Sequence, residues 1–568
     1  YILKKMKIIG INYLSESSVC LLENGKIKFA ISQERINRKK NWYGIPYTSI
    51  KKLLKDTNNN LKDINYFVTC GLSSLTKDMP NKANFKLKID LIKKSKLKNN
   101  IKKKQINFLK KREKHENFVI NVRTKKIINS LKKKFPNLKV YDHHTSHAAS
   151  AAYNSKFKSC YCLTIDGWGD HSSGKIFKYS NGKFDELYST STIDSLGYFY
   201  GSITKLLGFK PHQHEGKILG LAAYGNPKKP LKDMSKLISF DKKNMRFIGN
   251  YEKGLYQASF DNNNLTYLLK KYSKKDIAAC AQFLLEKVVL TCVKSISKTK
   301  INLVLAGGVF ANVKLNQKIN ELKNIKNIFV YPNMGDGGLS VGSAMLCYNE
   351  ITKKIPKVSK DYYLGPSFSD KEVLKEIKKF KLNYSKPNNI EKIIAKKISE
   401  GKVIAHFNGK MEFGPRALGN RSILCAAKDS NINNELNKRL GRTEFMPFAP
   451  IILKNYTYKY FKLLKKLDDY KYMTLTCVCK KIMIKKSPAA VHIDNTARPQ
   501  IIDKKINPRI FKILNEYKKI TKIPVLINTS FNMHEEPIVC SPNDAIRGFL
   551  DGRLDYLILK NFLIKRND

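Results

Sequence analysis

The sequence of 568 residues has no apolar run approaching the roughly 20 residues that cross a bilayer as a helix, which excludes a helical membrane span. Its eleven cysteines form no CxxC pair. The two CxC pairs, Cys160/Cys162 and Cys477/Cys479, sit in strand-like runs and supply two ligands without partners, weak ground for zinc. The cysteines therefore read as reduced, mostly buried thiols. The first residues, YILKKMKIIG, show no signal-peptide apolar region and run straight into a strand, so a cytoplasmic chain is expected, with Met6 a candidate natural start. Acidic residues are scarce: 46 Asp and Glu against 107 Lys and Arg leave a net charge of +61. Such a balance favours anionic partners. Lysine, asparagine and isoleucine are spread throughout, however, as compositional drift would leave them. Drift explains less well the cluster Lys86–Lys114, and no aromatic ladder accompanies it for stacking bases. It reads as a solvated helical insertion over about 86–135, which speaks against nucleic acid as a partner.

What is present centres on Val140–Asp170. His143 and His147 stand four apart at the head of a small-residue run. On a helix that spacing puts both imidazoles on one face, within reach of one metal ion. An apolar strand, Cys160–Ile165, then breaks into Asp166-Gly167-Trp168-Gly169-Asp170, an acidic glycine-rich turn suited to a backbone that approaches phosphate. Asp336, in the glycine-rich turn after strand Ile328–Tyr331, is a candidate third ligand; its plain alternative is capping the helix that follows. Chance pairing of two histidines remains open on these residues alone.

The chain repeats itself. Strand Lys7–Tyr13, a polar loop, strand Val19–Leu22, an Asn24-Gly25 turn and strand Ile27–Gln33 are matched by strand CLTID, loop GWGDHSSG, strand KIFKY, turn Asn181-Gly182 and strand KFDELY. Two similar lobes of an actin-like α/β fold, with a nucleotide cleft, would produce this order. Leu303–Asn312 is a strand entering Gly307-Gly308 and then Asn312, where backbone can approach a nucleotide. Lys217, in a helix opened by His214-Glu215-Gly216, could line the substrate side or merely cap a surface. Past a boundary near 351–369 come arginines in Gly/Pro-rich contexts: Arg416 and Arg421, then Arg442 and Arg498. Asn528, Ser530 and Asn532 follow. Guanidiniums fixed beside exposed amides suit a small phosphorylated anion, and the Asn and Ser side chains suit an amide-like group.

Read together, QERINRKK at Gln33–Lys40, DHHTSHAASAAY, DGWGD, EGKILGLAAYG, LAGGVFAN, GDGGLSVGSA, GKMEFGPRALGNRSIL, TARPQ and NTSFN…EPIV resemble the O-carbamoyltransferases of the NodU/CmcH/TobZ type, nearly end to end. The resemblance implies an α/β protein. Its N-terminal domain, 1–355, is actin-like (ASKHA, ribonuclease-H-like); a linker at 356–366 leads to a YrdC-like α/β domain, 367–568. It implies an enzyme that uses carbamoyl phosphate and Mg-ATP to form a carbamoyl-adenylate in the second domain. The carbamoyl group then passes in the first to a hydroxyl-bearing small molecule or saccharide. His143, His147 and Asp336 match the metal ligands, for Fe(II) or another divalent ion. Gly307, Gly308 and Asn312 match the nucleotide loop, and Arg416, Arg421, Arg442, Asn528 and Ser530 fall where carbamoyl phosphate and ATP are held. A homodimer is also implied.

There are departures. Where family members often carry His-Asp-Ser, this chain has Ser15-Glu16-Ser17, leaving Glu16, with Asp166 and Asp170, as candidate bases. Leu440, Met446 and Glu535 replace a usual Lys, Arg and Gly. Two competing readings are a carbamoyl-dependent tRNA-modifying enzyme, against which the fused order and GPRALGNRS speak, and a basic nucleic-acid-binding protein on an eroded scaffold, against which the retained His143, His147, Asp336 and arginines speak.

Overall fold

The computed structural model describes residues 6–71, 81–250, 265–443, 445–465 and 467–566. The chain forms two compact units. One comprises Tyr1–Asn12, Cys20–Lys26 and Asn60–Val358; the other comprises Tyr13–Val19, Ile27–Asn59 and Ser359–Asp568. Chain order alone assigns 13–19 and 27–59 to the first domain, whereas packing gives them to the second.

The first unit is built on two sheets of one plan. In the first sheet, strand Lys7–Asn12 has Ser18–Glu23 on one side, and on the other Tyr66–Cys70 and then Leu138–Tyr141, both parallel. In the second, Ser159–Gly169 has Ser172–Ser180 and Lys183–Ser191 antiparallel on one side, and Ile301–Ala306 and Ile325–Val330 parallel on the other. The duplication read from the sequence is thus present as topology, and the fold is α/β with a repeated first unit. The central strands are buried along nearly their whole length, as helices on both faces require. Both expected Asn-Gly turns form with left-handed pairs, φ 48° and 75° at Asn24-Gly25 and 46° and 93° at Asn181-Gly182.

Two differences from the sequence reading matter. Strand Ser159–Gly169 does not stop at Asp166; it continues through Gly167 and Trp168, with a register shift between Ile165 and Gly169. A shifted register changes which way side chains point. The basic insertion is also more than a solvated appendage. Helices Asn81–Lys94, Asn99–Phe118 and Lys125–Lys134 form the crossover between the parallel strands Tyr66–Cys70 and Leu138–Tyr141. Their inner face buries Lys88, Ile92, Gln105, Leu109, Glu116 and Leu131, while lysines occupy the outer face.

The second unit centres on a seven-stranded mixed sheet, in the order Gln500–Ile502, Ala449–Leu453, Val525–Ser530, Arg421–Ala426, Ile404–Phe407, Tyr556–Leu559, Phe562–Lys565. Helices Asp370–Lys379, Ile390–Ser399, Pro508–Thr521 and Pro542–Asp551 each bury an apolar face. All eleven cysteines are buried and unbridged, as expected. Among the described residues no helix is long and apolar enough to cross a membrane.

Candidate active site

Asp142 starts the helix that carries the histidine pair. Its Oδ1 accepts the backbone N–H of Thr145 at 2.7 Å, capping helix His143–Ala152. His143 and His147 then lie one turn apart, both wholly buried, with Nε2 atoms turned to the same place. His147 Nε2 is 3.1 Å from Asp166 Oδ2, and His143 Nε2 is 3.7 Å from it. Both Nε2 atoms are 3.6 Å from Asp336 Oδ1. One donor atom from each of the four residues falls within 4.8 Å of the others. Helix Leu339–Thr352 begins at Gly338 without a side-chain cap, so Asp336 is not used as its N-cap.

This donor set fits a divalent cation. His143 Nε2 is buried with no hydrogen-bond partner among the described residues, and a buried polar atom left so costs about 1–3 kcal/mol unless something else satisfies it. Two imidazoles and two carboxylates suit iron(II), manganese or zinc alike. The neighbouring His144 shows the contrast: its ring nitrogens lie 3.0 Å from Thr164 Oγ1 and 3.2 Å from the Ser172 carbonyl. It is a satisfied core histidine, and burial presses it down to about 3. At His143 burial also opposes the charge, but the carboxylates of Asp166, Asp336 and Asp170 prevail and lift it to about 9. Burial would raise Asp166, yet the two imidazoles hold it well below the usual carboxylate range.

Asp166 is the member the sequence reading placed elsewhere, as a candidate base. Its acid side chain at the mouth of an apolar strand was the available signal. Gly169 is required for the arrangement, because a Cβ there would stand 2.2 Å from His143 Cδ2. Gly169→Ala is therefore expected to displace His143, with a stability loss of about 1–3 kcal/mol by thermal unfolding and weaker metal retention on dialysis.

Around this centre, Gly307 has φ 102° and its N–H donates to the Met334 carbonyl at 2.7 Å, drawing the double glycine beside Ile165 and Asp166. Asn312 is the N-cap of helix Val313–Asn320, its Oδ1 accepting from the Leu315 N–H at 3.0 Å; that use of the side chain differs from the nucleotide contact expected of it. Lys217 is buried on helix Glu215–Ala222, with Nζ 5.9 Å from the Phe209 ring centre. The insertion reaches the same neighbourhood. The Arg112 guanidinium lies 5.6 Å from the Trp168 ring centre and 4.9 Å from that of Tyr198. Its Nε donates to Glu116 at 2.8 Å, and Glu116 accepts from Thr192 Oγ1 at 2.9 Å. Glu16 lies in the 13–19 segment that packs with the second unit, half-buried at φ 50°.

In the second unit the structure separates the arginines by role. Arg421 is fully buried, 3.7 Å above the Phe407 ring centre. Its Nη1 donates to the carbonyls of Asn408 and Asn420 at 2.7 and 3.1 Å, and its Nη2 to those of Pro366 and Gly409 at 3.3 and 3.2 Å. It holds the loop together, a scaffolding task rather than the anion contact expected of it. Glu412 completes the scaffold, Oε1 accepting the N–H groups of Leu418, Asn420 and Arg421 at 2.8, 2.7 and 3.1 Å. Arg416 follows the exposed Pro415 and is half-buried, as is Arg498.

Arg442 gathers the other predicted residues. Nη1 donates to Thr529 Oγ1 at 3.0 Å, and Nη2 to the Ser530 carbonyl at 2.9 Å, the Asn532 carbonyl at 2.8 Å and Asn532 Oδ1 at 3.0 Å. Asn528 Nδ2 donates to the Ala417 carbonyl at 3.2 Å, tying this strand to the GPRALGNRS loop. Glu535 has φ 59°, a backbone that glycine adopts freely. Its departure from the family pattern thus costs about 1 kcal/mol of local strain.

Residues 7–345 match the carbamoyltransferase N-terminus family and residues 395–566 the carbamoyltransferase C-terminus family. The chain belongs to the carbamoyltransferases and is a transferase. Among its relatives is nodulation protein NolNO of Sinorhizobium fredii, 30% identical over 98% of this chain and 79% of that one. Nodulation protein NolO of Bradyrhizobium diazoefficiens is 32% identical over 75% of this chain and 79% of its own length. An uncharacterised protein of Methanocaldococcus jannaschii is 32% identical over 98% and 99%. Solved structures resemble it only distantly. Component A of the Acidaminococcus fermentans (R)-2-hydroxyglutaryl-CoA dehydratase covers 61% of this chain and 99% of its own at 14% identity and TM-score 0.36.

Proposed function

We propose that the second unit makes carbamoyl-adenylate from carbamoyl phosphate and ATP, and that the first unit passes the carbamoyl group to a hydroxyl of a saccharide or other small molecule. Water attacks the carbamoyl carbon of carbamoyl phosphate, the bond to the phosphate oxygen breaks, and carbamate and phosphate result. The carbamate oxygen then attacks the α-phosphorus of ATP and pyrophosphate leaves. The acceptor oxygen next attacks the carbamoyl carbon, the hydroxyl proton goes to a base, and AMP departs. Carbamate is a poor electrophile, and adenylation gives its oxygen a good leaving group. The observation that carries this reading is the convergence of Arg442, Thr529, Ser530 and Asn532 in the unit that matches the C-terminal family, together with a separate His/Asp centre in the unit that matches the N-terminal family.

On this reading Arg416, Arg442 and Arg498 meet the phosphate charge as bonds break, and Arg421 keeps the loop amides in place. Asn528 and Asn532 position the carbamoyl amide. His143, His147, Asp166 and Asp336 would hold a divalent cation, iron(II) or another, which supplies Lewis-acid and templating chemistry. Gly307 and Gly308 leave room for the nucleotide. Arg112 with Trp168 is our candidate for one wall of the acceptor pocket. The basic surface does not by itself argue for a tRNA acceptor, because its lysines are dispersed.

The test needs no acceptor. Protein, ATP, Mg²⁺ and carbamoyl phosphate are mixed, and labelled pyrophosphate is followed into ATP. Exchange that depends on carbamoyl phosphate is expected. Its absence from folded, metal-replete protein would overturn the adenylation step.

A further inference from the structure

One motif, Gln33–Lys40, has no part in the reaction above, and it lies hundreds of residues from the loops it touches. Arg35 is buried, and its Nη2 donates to the Gly414 carbonyl at 2.9 Å. Gly414 opens the Pro415-Arg416 turn, two residues after Glu412. Arg38 grips the other loop: Nη1 donates to the Ile538 carbonyl at 2.7 Å and Nη2 to the Pro537 carbonyl at 2.6 Å. That loop is continuous with the Arg442 cluster, because Asn532, held by Arg442, donates through Nδ2 to the Glu536 carbonyl at 3.0 Å.

The segment is itself fixed. Gln33 Oε1 accepts from the Ser49 N–H at 3.0 Å and Ser49 Oγ at 2.8 Å, and its own N–H donates to the Ser17 carbonyl at 2.7 Å. Glu34 Oε2 accepts from the Asn41 N–H at 2.7 Å. Arg38 closes the short helix Glu34–Asn37 at φ 60°, a left-handed backbone that costs a non-glycine residue free energy and persists only where its surroundings enforce it. Flanking carboxylates, Asp544 Oδ1 at 3.8 Å and Glu536 Oε2 at 3.7 Å, keep the guanidinium in place. Only the planar fork of arginine can span two successive carbonyls this way; an ammonium offers a point charge.

We propose that Gln33–Asn41 is a strap that sets both substrate loops of the second unit, and that Arg35 and Arg38 are positioning residues for carbamoyl phosphate and ATP. Apolar residues such as Phe413, Leu418, Phe531 and Val539 anchor the loops in the core, but such packing does not fix the direction of the loop carbonyls as a hydrogen bond does. The strap supplies three charge-assisted hydrogen bonds to their carbonyls, one at the base of the Arg416 turn and two beyond Asn532. This rests on the adenylation reading, so the experiment separates the two.

Full-length wild type, Arg38→Ala, Arg38→Lys and Arg35→Lys are compared in two assays. In carbamoyl-phosphate-dependent pyrophosphate exchange, Arg38→Ala is expected to raise the KM for carbamoyl phosphate about tenfold, and Arg38→Lys to recover part of it. In amide hydrogen exchange, 536–540 should lose protection in Arg38→Ala and 412–420 in Arg35→Lys, while His143–Ala152 stays as in wild type. A global fall in protection would mark simple destabilisation and overturn the positioning role. Exchange kinetics within about twofold of wild type in folded Arg38→Ala would overturn it too. If wild type itself shows no pyrophosphate exchange, the adenylation reading fails. Loop protection then decides the strap alone, and unchanged protection at 536–540 would sink it.

Discussion

Replacing His147 by alanine is expected to strip the first unit of the metal proposed for it while leaving pyrophosphate exchange in the second unit untouched. His147 Nε2 sits 3.1 Å from Asp166 Oδ2 and 3.6 Å from Asp336 Oδ1, so its loss leaves two carboxylates facing one imidazole. Removing even a supporting group of a metal site costs on the order of 10–100-fold in affinity, and a ligand costs at least as much. Helix His143–Ala152 should survive, because alanine is the best helix former and the Asp142 cap is retained. Metal content after reconstitution and exchange rate are the two readouts. Equal loss of both from folded protein would show that the two units do not divide the chemistry.

The reciprocal outcome is expected of Arg442→Ala. Its guanidinium makes four hydrogen bonds of 2.8–3.0 Å to Thr529, Ser530 and Asn532, so truncation frees the loop and removes positive charge from the proposed phosphate site. Loss of one preorganised donor at developing charge typically costs about 10²–10³ in rate. Pyrophosphate exchange should fall by about that factor, with metal content unchanged. Arg416→Ala should lose exchange as well, by removing a positive charge from the Pro415-Arg416 turn. A variant of Arg442 that exchanges at the wild-type rate would remove the cluster from the reaction.

The histidine pair was legible because an i, i+4 spacing behind an Asp cap is local information, and helix geometry does the rest. The duplicated topology was legible for the same reason, since Asn24-Gly25 and Asn181-Gly182 announce their turns. Asp166 was recognised but given another task, because a register shift inside a strand has no local sequence sign. The arginines in Gly/Pro-rich contexts looked alike in sequence. Arg421 turns inward to carbonyls and Arg442 organises a loop, and only the partners tell them apart. Arg35 and Arg38 were the least legible. Their contacts span 379 and 500 residues, and no periodicity encodes a pairing at that distance.

That the second unit recruits 13–19 and 27–59 has a consequence for how the protein is made. These residues leave the ribosome well before the rest of their unit, since about 300 residues separate Asn59 from Ser359. At roughly 5–20 residues per second that is an interval of about 15–60 s. Through it, apolar side chains such as Ile50 and Leu53 have no finished core to enter. The nascent chain thus carries an unfinished second unit together with a completed first one, and holdase chaperones should engage it before release.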